Sequence, residues 1–140
     1  MGAATVLLHL GIDRRVKCAI ADCPYSDLKQ LLRYQLKVYY HLPRFLIPVV
    51  NKLNFLRAGF SYQQVSPINV ISRTKIPVLF IHGKWDSFVP PSMSKQMYTL
   101  KPQKKALYLV AEARHAGSYC RNQEGYEKRV AEFLKRYDKE

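Results

Sequence analysis

Hydrophobic residues follow two kinds of pattern along this chain. Short apolar runs, bounded by charged or turn-forming residues, occupy positions 16–21, 76–83 and 106–110. Runs of this length with such boundaries are typical of buried strands. Elsewhere, apolar residues spaced three and four apart predict amphipathic helices. The chain therefore alternates strands with helices, which indicates an α/β fold with parallel strands and right-handed crossovers.

The helices have recognisable boundaries. The first, over residues 2–10, is expected to end at Gly11, which accepts a positive φ without strain. A second begins at Ser26 or Asp27, both good helix caps, and ends before Pro43. Residues 43–66 show no steady period, and we interpret them as a short helix and irregular structure. Two more helices are predicted at residues 92–100 and from the stripe Tyr126, Val130, Phe133, Leu134 and Tyr137.

This order of elements also suggests how the chain is organised. Three strands are few for a sheet that is covered on both faces, so we expect half of a larger doubly wound domain. Residues 1–25 would form a first helix and strand, residues 26–75 a lid region, and residues 76–140 the last two strands with the C-terminal helix. The tyrosines at positions 25, 34, 39 and 40 are expected to pack the lid against the body.

The charge is strongly basic, with 23 Lys and Arg against 10 Asp and Glu and a net charge of +13. Such a field favours polyanions or an acidic membrane surface. The basic residues are dispersed, however, and lack an RNA-binding motif, so we expect no dedicated nucleic-acid partner. The apolar stretch Phe45–Val50 is far shorter than the ~20 residues of a membrane-spanning helix, so no membrane span is expected in this chain.

The number and spacing of the cysteines indicate the cellular compartment and whether a metal is bound. The three cysteines have no C-x-x-C or Cys/His ligand spacing, which argues against a disulfide framework and against zinc. We expect no metal and no cofactor, and a reducing, cytoplasmic location. Any export signal or membrane anchor would lie before Met1.

Two polar residues stand where parallel strands end. Asp86 lies five residues beyond Ile81, in HGKWDSFVP, and His115 lies five residues beyond Val110, in AEARHAGSY. Separately, these residues could be a turn former and a surface histidine. Together, beyond adjacent strands, they have the layout of an acid–base pair in which the carboxylate orients the imidazole. No serine of the chain has the G-x-S-x-G context of a nucleophile.

The segments IPVLFIHGKWDSFVP and LYLVAEARHAGSY resemble the acid and histidine segments of the α/β-hydrolase fold, whose chain order is nucleophile, acid, histidine. The opening MGAATVLL resembles the residues directly after the nucleophile in a G-x-S-M-G elbow. The similarity covers nearly all of the chain and points to bacterial hydrolases of the serine aminopeptidase or lysophospholipase-like group. It implies the C-terminal half of an α/β hydrolase, with about three parallel strands flanked by helices and a small helical lid.

The resemblance also implies roles for individual residues. Asp86 would be the acid, His115 the general base, and the backbone N–H of Met1 half of the oxyanion hole. Gly2 would let the first helix pack closely. The nucleophile would immediately precede Met1, and a serine is favoured there although related folds use Asp or Cys. Pocket or support positions are Phe88, Val89 and Tyr119.

The function implied is hydrolysis of a small-molecule ester or amide through an acyl-serine intermediate. Without its nucleophile, the chain alone is expected to lack triad-dependent activity. The alternative is a non-catalytic binding or assembly module derived from a hydrolase half, which self-associates through an unpaired sheet edge.

Two further residues near the strand ends have weaker signals. His82 precedes a turn glycine, which favours a structural role. Cys23 follows the first strand, near the expected site, but no partner pattern marks it as a nucleophile.

Overall fold

A computed structural model describes residues 1–138 of the 140-residue chain. Its three strands form one parallel sheet in the order β1-β2-β3, which confirms the predicted α/β class. The elements in chain order are α1 (Gly2–His9), β1 (Ala19–Asp22), α2 (Leu28–Val38), α3 (Leu46–Ala58), a 3-10 turn (Tyr62–Gln64), α4 (Pro67–Ile71), β2 (Val78–Gly83), α5 (Pro91–Leu100), β3 (Lys105–Val110), α6 (Ser118–Arg121) and α7 (Gln123–Tyr137).

The central strand β2 explains the continuous apolar run, because all six of its residues are buried. Successive side chains point to opposite faces of the sheet. Val78 and Phe80 pack into a cluster with residues of α1, α4 and α5. Leu79 and Ile81 pack into a second cluster that includes Phe133 of α7. Both faces of β2 are therefore covered by helices, as a parallel sheet requires.

Helix ends agree with the prediction at α2 and differ at α1. Asp27 caps α2, since its Oδ1 accepts from the backbone N–H of Gln30 at 2.9 Å. Helix α1 ends with Leu10 in the right-handed conformation, and Gly11 has no positive φ. The glycine in the left-handed conformation is Gly59, with φ of +73°, which closes α3. The expectation that Gly11 supplies a left-handed cap was therefore wrong.

Helix α3 is longer than the short helix that the sequence predicts, with 13 residues. Its apolar residues lie on several sides, and only Ile47 is buried. A helix with this distribution shows no clear period of 3.6, which is why the pattern failed to reveal its length.

None of the helices within residues 1–138 is both long and apolar enough to cross a bilayer. Over the same residues, β1 and β3 each pair with a strand on one side only. Self-association through such an edge stays a prediction.

Candidate active site

The site begins where β2 and β3 end side by side. Gly83 and Val110 are register partners at the ends of these strands. The N–H of Lys84 donates to the Val110 carbonyl at 2.8 Å, and the N–H of Trp85 donates to the Ala113 carbonyl at 3.0 Å. These bonds tie the loop that carries Asp86 to the loop that carries His115.

Asp86 is buried and folds its own loop around its carboxylate. Its Oδ1 accepts from the backbone N–H groups of Phe88 at 3.0 Å and Val89 at 2.8 Å. An aspartate that bonds the backbone two and three residues ahead stabilises a tight turn. The turn holds the other oxygen, Oδ2, toward the histidines.

His115 lies against that oxygen. Its Nδ1 is 2.7 Å from Asp86 Oδ2, and its side chain is 34% exposed. An ionised carboxylate only accepts, so Nδ1 carries the hydrogen and the lone pair of the neutral ring lies on Nε2. Glu112 and Ala116, on either side of His115, have φ of +56° and +55°. Such conformations are uncommon for residues other than glycine, and here they shape the loop that presents the ring.

His82 supports the acid from the buried side, a role that the sequence did not reveal. Its Nε2 lies 2.9 Å from the Val89 carbonyl and 3.2 Å from Asp86 Oδ2, so this nitrogen carries a hydrogen. Its Nδ1 lies 2.6 Å from Ser94 Oγ. The spacing of four residues between His82 and Asp86 was the only signal of this contact in the sequence.

These contacts determine the charge on Asp86. Burial alone would raise the pKa of its carboxyl group. Hydrogen bonds from His82, the Val89 N–H and His115 outweigh burial and lower the pKa to about 2. Asp86 is therefore a stable anion in the folded protein, able to orient His115 and to stabilise its protonated form.

A cavity of about 340 Å³ opens beside His115, with a mainly apolar lining. Phe88 and Val89 both line it, and the Phe88 ring lies 5.1 Å from the His115 ring. Met1, at the start of α1, lines the same cavity. The remaining lining residues come from α1, the segment after β1, α2 and the lid: Ala4, Cys23, Pro24, Tyr25, Leu28, Leu31, Leu32, Gln35 and Tyr62.

Two residues, Tyr119 and Gly2, do not make the pocket and packing contacts considered for them from the sequence. The hydroxyl of Tyr119 donates to Glu127 at 2.9 Å and its ring packs on Tyr126, so this residue does not line the cavity. At Gly2, an added Cβ would meet no atom within 4 Å among residues 1–138, apart from its chain neighbours and the backbone of its own helix. The close helix packing expected at Gly2 is therefore not made by the part of the chain that the structure describes.

Cys23 lies beside the pair, since potential ligand atoms of Cys23, Asp86 and His115 are all within 4.8 Å of one another. Burial raises the pKa of the Cys23 thiol to about 12. The thiol donates to Asp22 Oδ1 at 3.2 Å. A protonated thiol is a poor nucleophile and a poor metal ligand, and both oxygens of Asp86 already accept hydrogen bonds.

Helix α2, in the predicted lid region, is held on the loop of Asp86 by polar contacts that the sequence did not predict. Tyr34 donates through its hydroxyl to the Ser87 carbonyl at 2.8 Å. The Tyr39 hydroxyl donates to Ser87 Oγ at 2.9 Å, and the Gln35 amide donates to the Phe88 carbonyl at 3.3 Å. The predicted packing is confirmed for Tyr34 and Tyr39, whose partner is the loop next to Asp86, and Tyr25 is buried. It was wrong for Tyr40, which is 64% exposed.

Gly83→Ala is expected to disturb the site through the backbone. A Cβ at Gly83 would lie 2.3 Å from the Ala113 carbonyl oxygen and 2.8 Å from that of Arg114, directly before His115. We expect the free energy of unfolding, measured with urea, to fall by about 3 kcal/mol. Gly2→Ala is the matched control and should change it by less than about 1 kcal/mol. Equal effects of the two substitutions would contradict this assignment.

A parallel sheet with a buried aspartate bonded to a partly exposed histidine at its carboxyl edge has the layout of the α/β-hydrolase class. The chain belongs to the prolyl oligopeptidase family, whose model matches residues 1–140. The assignment to the α/β hydrolases is thereby confirmed, whereas the finer placement near serine aminopeptidases stays a prediction.

Individual proteins are similar to this chain in sequence or in fold. The uncharacterised protein YqkD of Bacillus subtilis is 40% identical over 141 residues, which are 96% of this chain and 45% of the relative. The Pyrococcus furiosus esterase Pf2001 has a TM-score of 0.70 at 22% identity, over 96% of this chain and 50% of the esterase. An acylaminoacyl peptidase of Pyrococcus horikoshii has a TM-score of 0.69 at 20% identity, over 97% and 22%. The structural likenesses show the fold alone.

The chain spans about half the length, or less, of these relatives.

Proposed function

We propose that this chain supplies the acid and the base of a Ser-His-Asp hydrolase that cleaves small-molecule esters or amides. The observation that carries the proposal is the 2.7 Å bond between His115 Nδ1 and the buried Asp86 Oδ2, beside an apolar cavity. A structural ion pair would need no open side, whereas His115 remains partly exposed. The family relationship independently favours hydrolysis.

In the proposed reaction, a serine hydroxyl attacks the substrate carbonyl while His115 Nε2 takes its proton. The C–O or C–N bond then breaks as His115 returns that proton to the leaving alcohol or amine. Water hydrolyses the acyl-serine by the same two steps. Asp86 holds the Nδ1–H throughout and stabilises the imidazolium.

Met1 is proposed to contribute its backbone N–H to the oxyanion hole. This role requires a peptide bond before Met1, because a fixed amide N–H stabilises the developing negative charge. The location of Met1 on the same cavity as His115 supports the proposal.

The apolar lining favours an acyl group or another hydrophobic substrate portion. Names of the structural neighbours include an esterase and an acylaminoacyl peptidase, which is consistent with either bond type. We place the reaction in the cytoplasm because Cys18, Cys23 and Cys120 are all free thiols.

A chimaera tests the proposal. It joins the N-terminal part of the Bacillus subtilis relative, up to the residue that would precede Met1 when the two sequences are aligned, to Met1 of this chain. We expect the chimaera to hydrolyse p-nitrophenyl butyrate and to be labelled by a fluorophosphonate, which reacts with activated serines. Alanine at the labelled serine should abolish both signals.

The 140-residue chain alone is expected to release no burst of p-nitrophenol. Among residues 1–138, no hydroxyl hydrogen-bonds to His115 Nε2, so no residue is placed to be activated. A burst from the chain that His115→Ala abolishes would contradict this expectation. A folded chimaera that neither labels nor hydrolyses would favour the binding-module alternative.

A further inference from the structure

Helix α3 packs on the protein through an unusually polar face. Ile47, Asn51 and Asn54 lie on the packed side, at a helical spacing. Asn51 Oδ1 accepts from the Tyr62 backbone N–H at 2.7 Å, and Asn54 donates to the Phe60 carbonyl at 2.7 Å. The asparagines thus bind the segment after the helix, and most of the apolar residues of α3 are left on other sides.

The opposite side of α3 is apolar and faces outward. Val49, Leu53 and Leu56 are 53%, 60% and 73% exposed, and Phe45, just before the helix, is 67% exposed. At 100° per residue these four side chains fall within an arc of about 80°. We call them the outward stripe. A contiguous apolar surface of this kind marks a contact with a partner or a membrane.

The charge around the outward stripe is uniformly positive. No Asp or Glu occurs between Asp27 and Asp86. Arg44 precedes the stripe, and Lys52 and Arg57 lie beside it on the helix, all three exposed. The basic residues of positions 28–66 are Lys29, Arg33, Lys37, Arg44, Lys52 and Arg57.

We propose that α3 docks on an anionic lipid bilayer, with the outward stripe in the acyl–headgroup boundary and the basic residues on the phosphates. Helices that lie in this boundary combine an apolar face with Lys and Arg. With 13 residues, α3 is about 20 Å long and suits an in-plane position rather than a span. The proposal is independent of the hydrolase reaction.

Other occupants fit the charge less well. A second copy of the chain would bring two acid-free lids together, and like charges repel. Nucleic acid is anionic, but three of the four stripe residues, Val49, Leu53 and Leu56, are aliphatic, so Phe45 is the one stripe residue whose ring could stack on a base. The cytoplasmic leaflet of membranes is rich in anionic lipids, in agreement with the proposed location.

Sedimentation with lipid vesicles tests the proposal on the 140-residue chain. We compare phosphatidylcholine vesicles with vesicles that contain about 30% phosphatidylglycerol. The expected partition coefficient is at least about tenfold higher for the anionic vesicles at low salt, and it should fall steeply in about 0.5 M NaCl because of screening.

Each variant of the outward stripe or its neighbouring charges is paired with a variant elsewhere on the surface. The pairs distinguish binding through α3 from an effect of net charge or surface polarity. L53D/L56D should lower partitioning at least about tenfold, whereas Ile12→Asp, which changes an 81% exposed residue after α1, should not. K52E/R57E should also lower it, whereas K128E/K135E on α7 makes the same change of net charge and should have a smaller effect. Circular dichroism verifies that each variant folds.

Several outcomes would overturn the proposal. Equal binding to neutral and anionic vesicles, or no binding to either, would exclude an anionic lipid bilayer as the partner of α3. Equal effects of L53D/L56D and Ile12→Asp would exclude the outward stripe. A dimer in light scattering that L53D/L56D dissociates would identify this face as an interface between copies of the chain.

Discussion

His115→Ala should reduce the kcat/KM of the chimaera for p-nitrophenyl butyrate by about 10⁴-fold or more. Without the imidazole, the serine has no base to take its proton, and the leaving group has no acid to protonate it. The effect should appear in kcat, because the ring acts mainly in the transition state and contributes little to ground-state binding. The initial rates, measured as p-nitrophenol absorbance, give both constants.

His9→Ala is the matched control for that substitution. His9 is at the end of α1, its side chain is 53% exposed, and its Nε2 lies 3.8 Å from Asp13 Oδ2. Its replacement should leave kcat/KM within about twofold, as for most surface substitutions. If His115→Ala retained most of the activity, the assignment of the general base would be wrong.

Asp86→Asn should affect both activity and stability. An asparagine can still accept from the Phe88 and Val89 N–H groups, but its amide hydrogens would face the donors of His82 and His115. His115 would no longer be held in the tautomer that carries its hydrogen on Nδ1. We therefore expect kcat of the chimaera to fall by about 10³- to 10⁴-fold. In the 140-residue chain, the free energy of unfolding at pH 7 should fall by about 2–4 kcal/mol, because buried donors lose an anionic acceptor.

The stability difference should depend on pH in a defined direction. The folded pKa of Asp86, about 2, is below the ordinary value of 3.8, so the folded state favours the ionised form. The resulting stabilisation, about 2 kcal/mol, is present above about pH 4 and is lost as the pH falls toward 2. Asp86→Asn lacks this contribution, so its difference from the parent chain should shrink over that interval.

Urea unfolding at pH 7, 4 and about 2.5 measures this dependence. Asp27→Asn is the control, because asparagine caps a helix as well as aspartate does and Asp27 is not part of the site. Its difference from the parent should remain small at each pH. A difference between Asp86→Asn and the parent that is independent of pH would show that the hydrogen bonds of Asp86 do not require its charge.

The loop that carries Asp86 is held from two directions. His82, with Ser94 behind it, supports Asp86 from the interior. Tyr34 and Tyr39 hold Ser87 from the lid. These tyrosines of the α2 segment therefore contact the residue directly after the acid.

Long apolar runs and strong caps made much of the fold predictable. The run at 76–83 became β2, over Val78–Gly83, because a strand that is buried on both faces must be apolar throughout. The stripe at 126–137 became one face of α7, with Phe133 buried. The run at 16–21 was less informative, and β1 lies at Ala19–Asp22, because pairing with β2 determines which residues are hydrogen-bonded.

The sequence by itself determined the alternation of strands and helices, and the positions of Asp86 and His115 beyond neighbouring strands. These features are local, since they depend on residue type and spacing within one segment. Only the tertiary structure decided the 2.7 Å contact between Asp86 and His115, the support from His82 and the exposure of the outward stripe. Such contacts depend on the register of β2 with β3 and on which side of α3 packs, and packing of distant segments determines both.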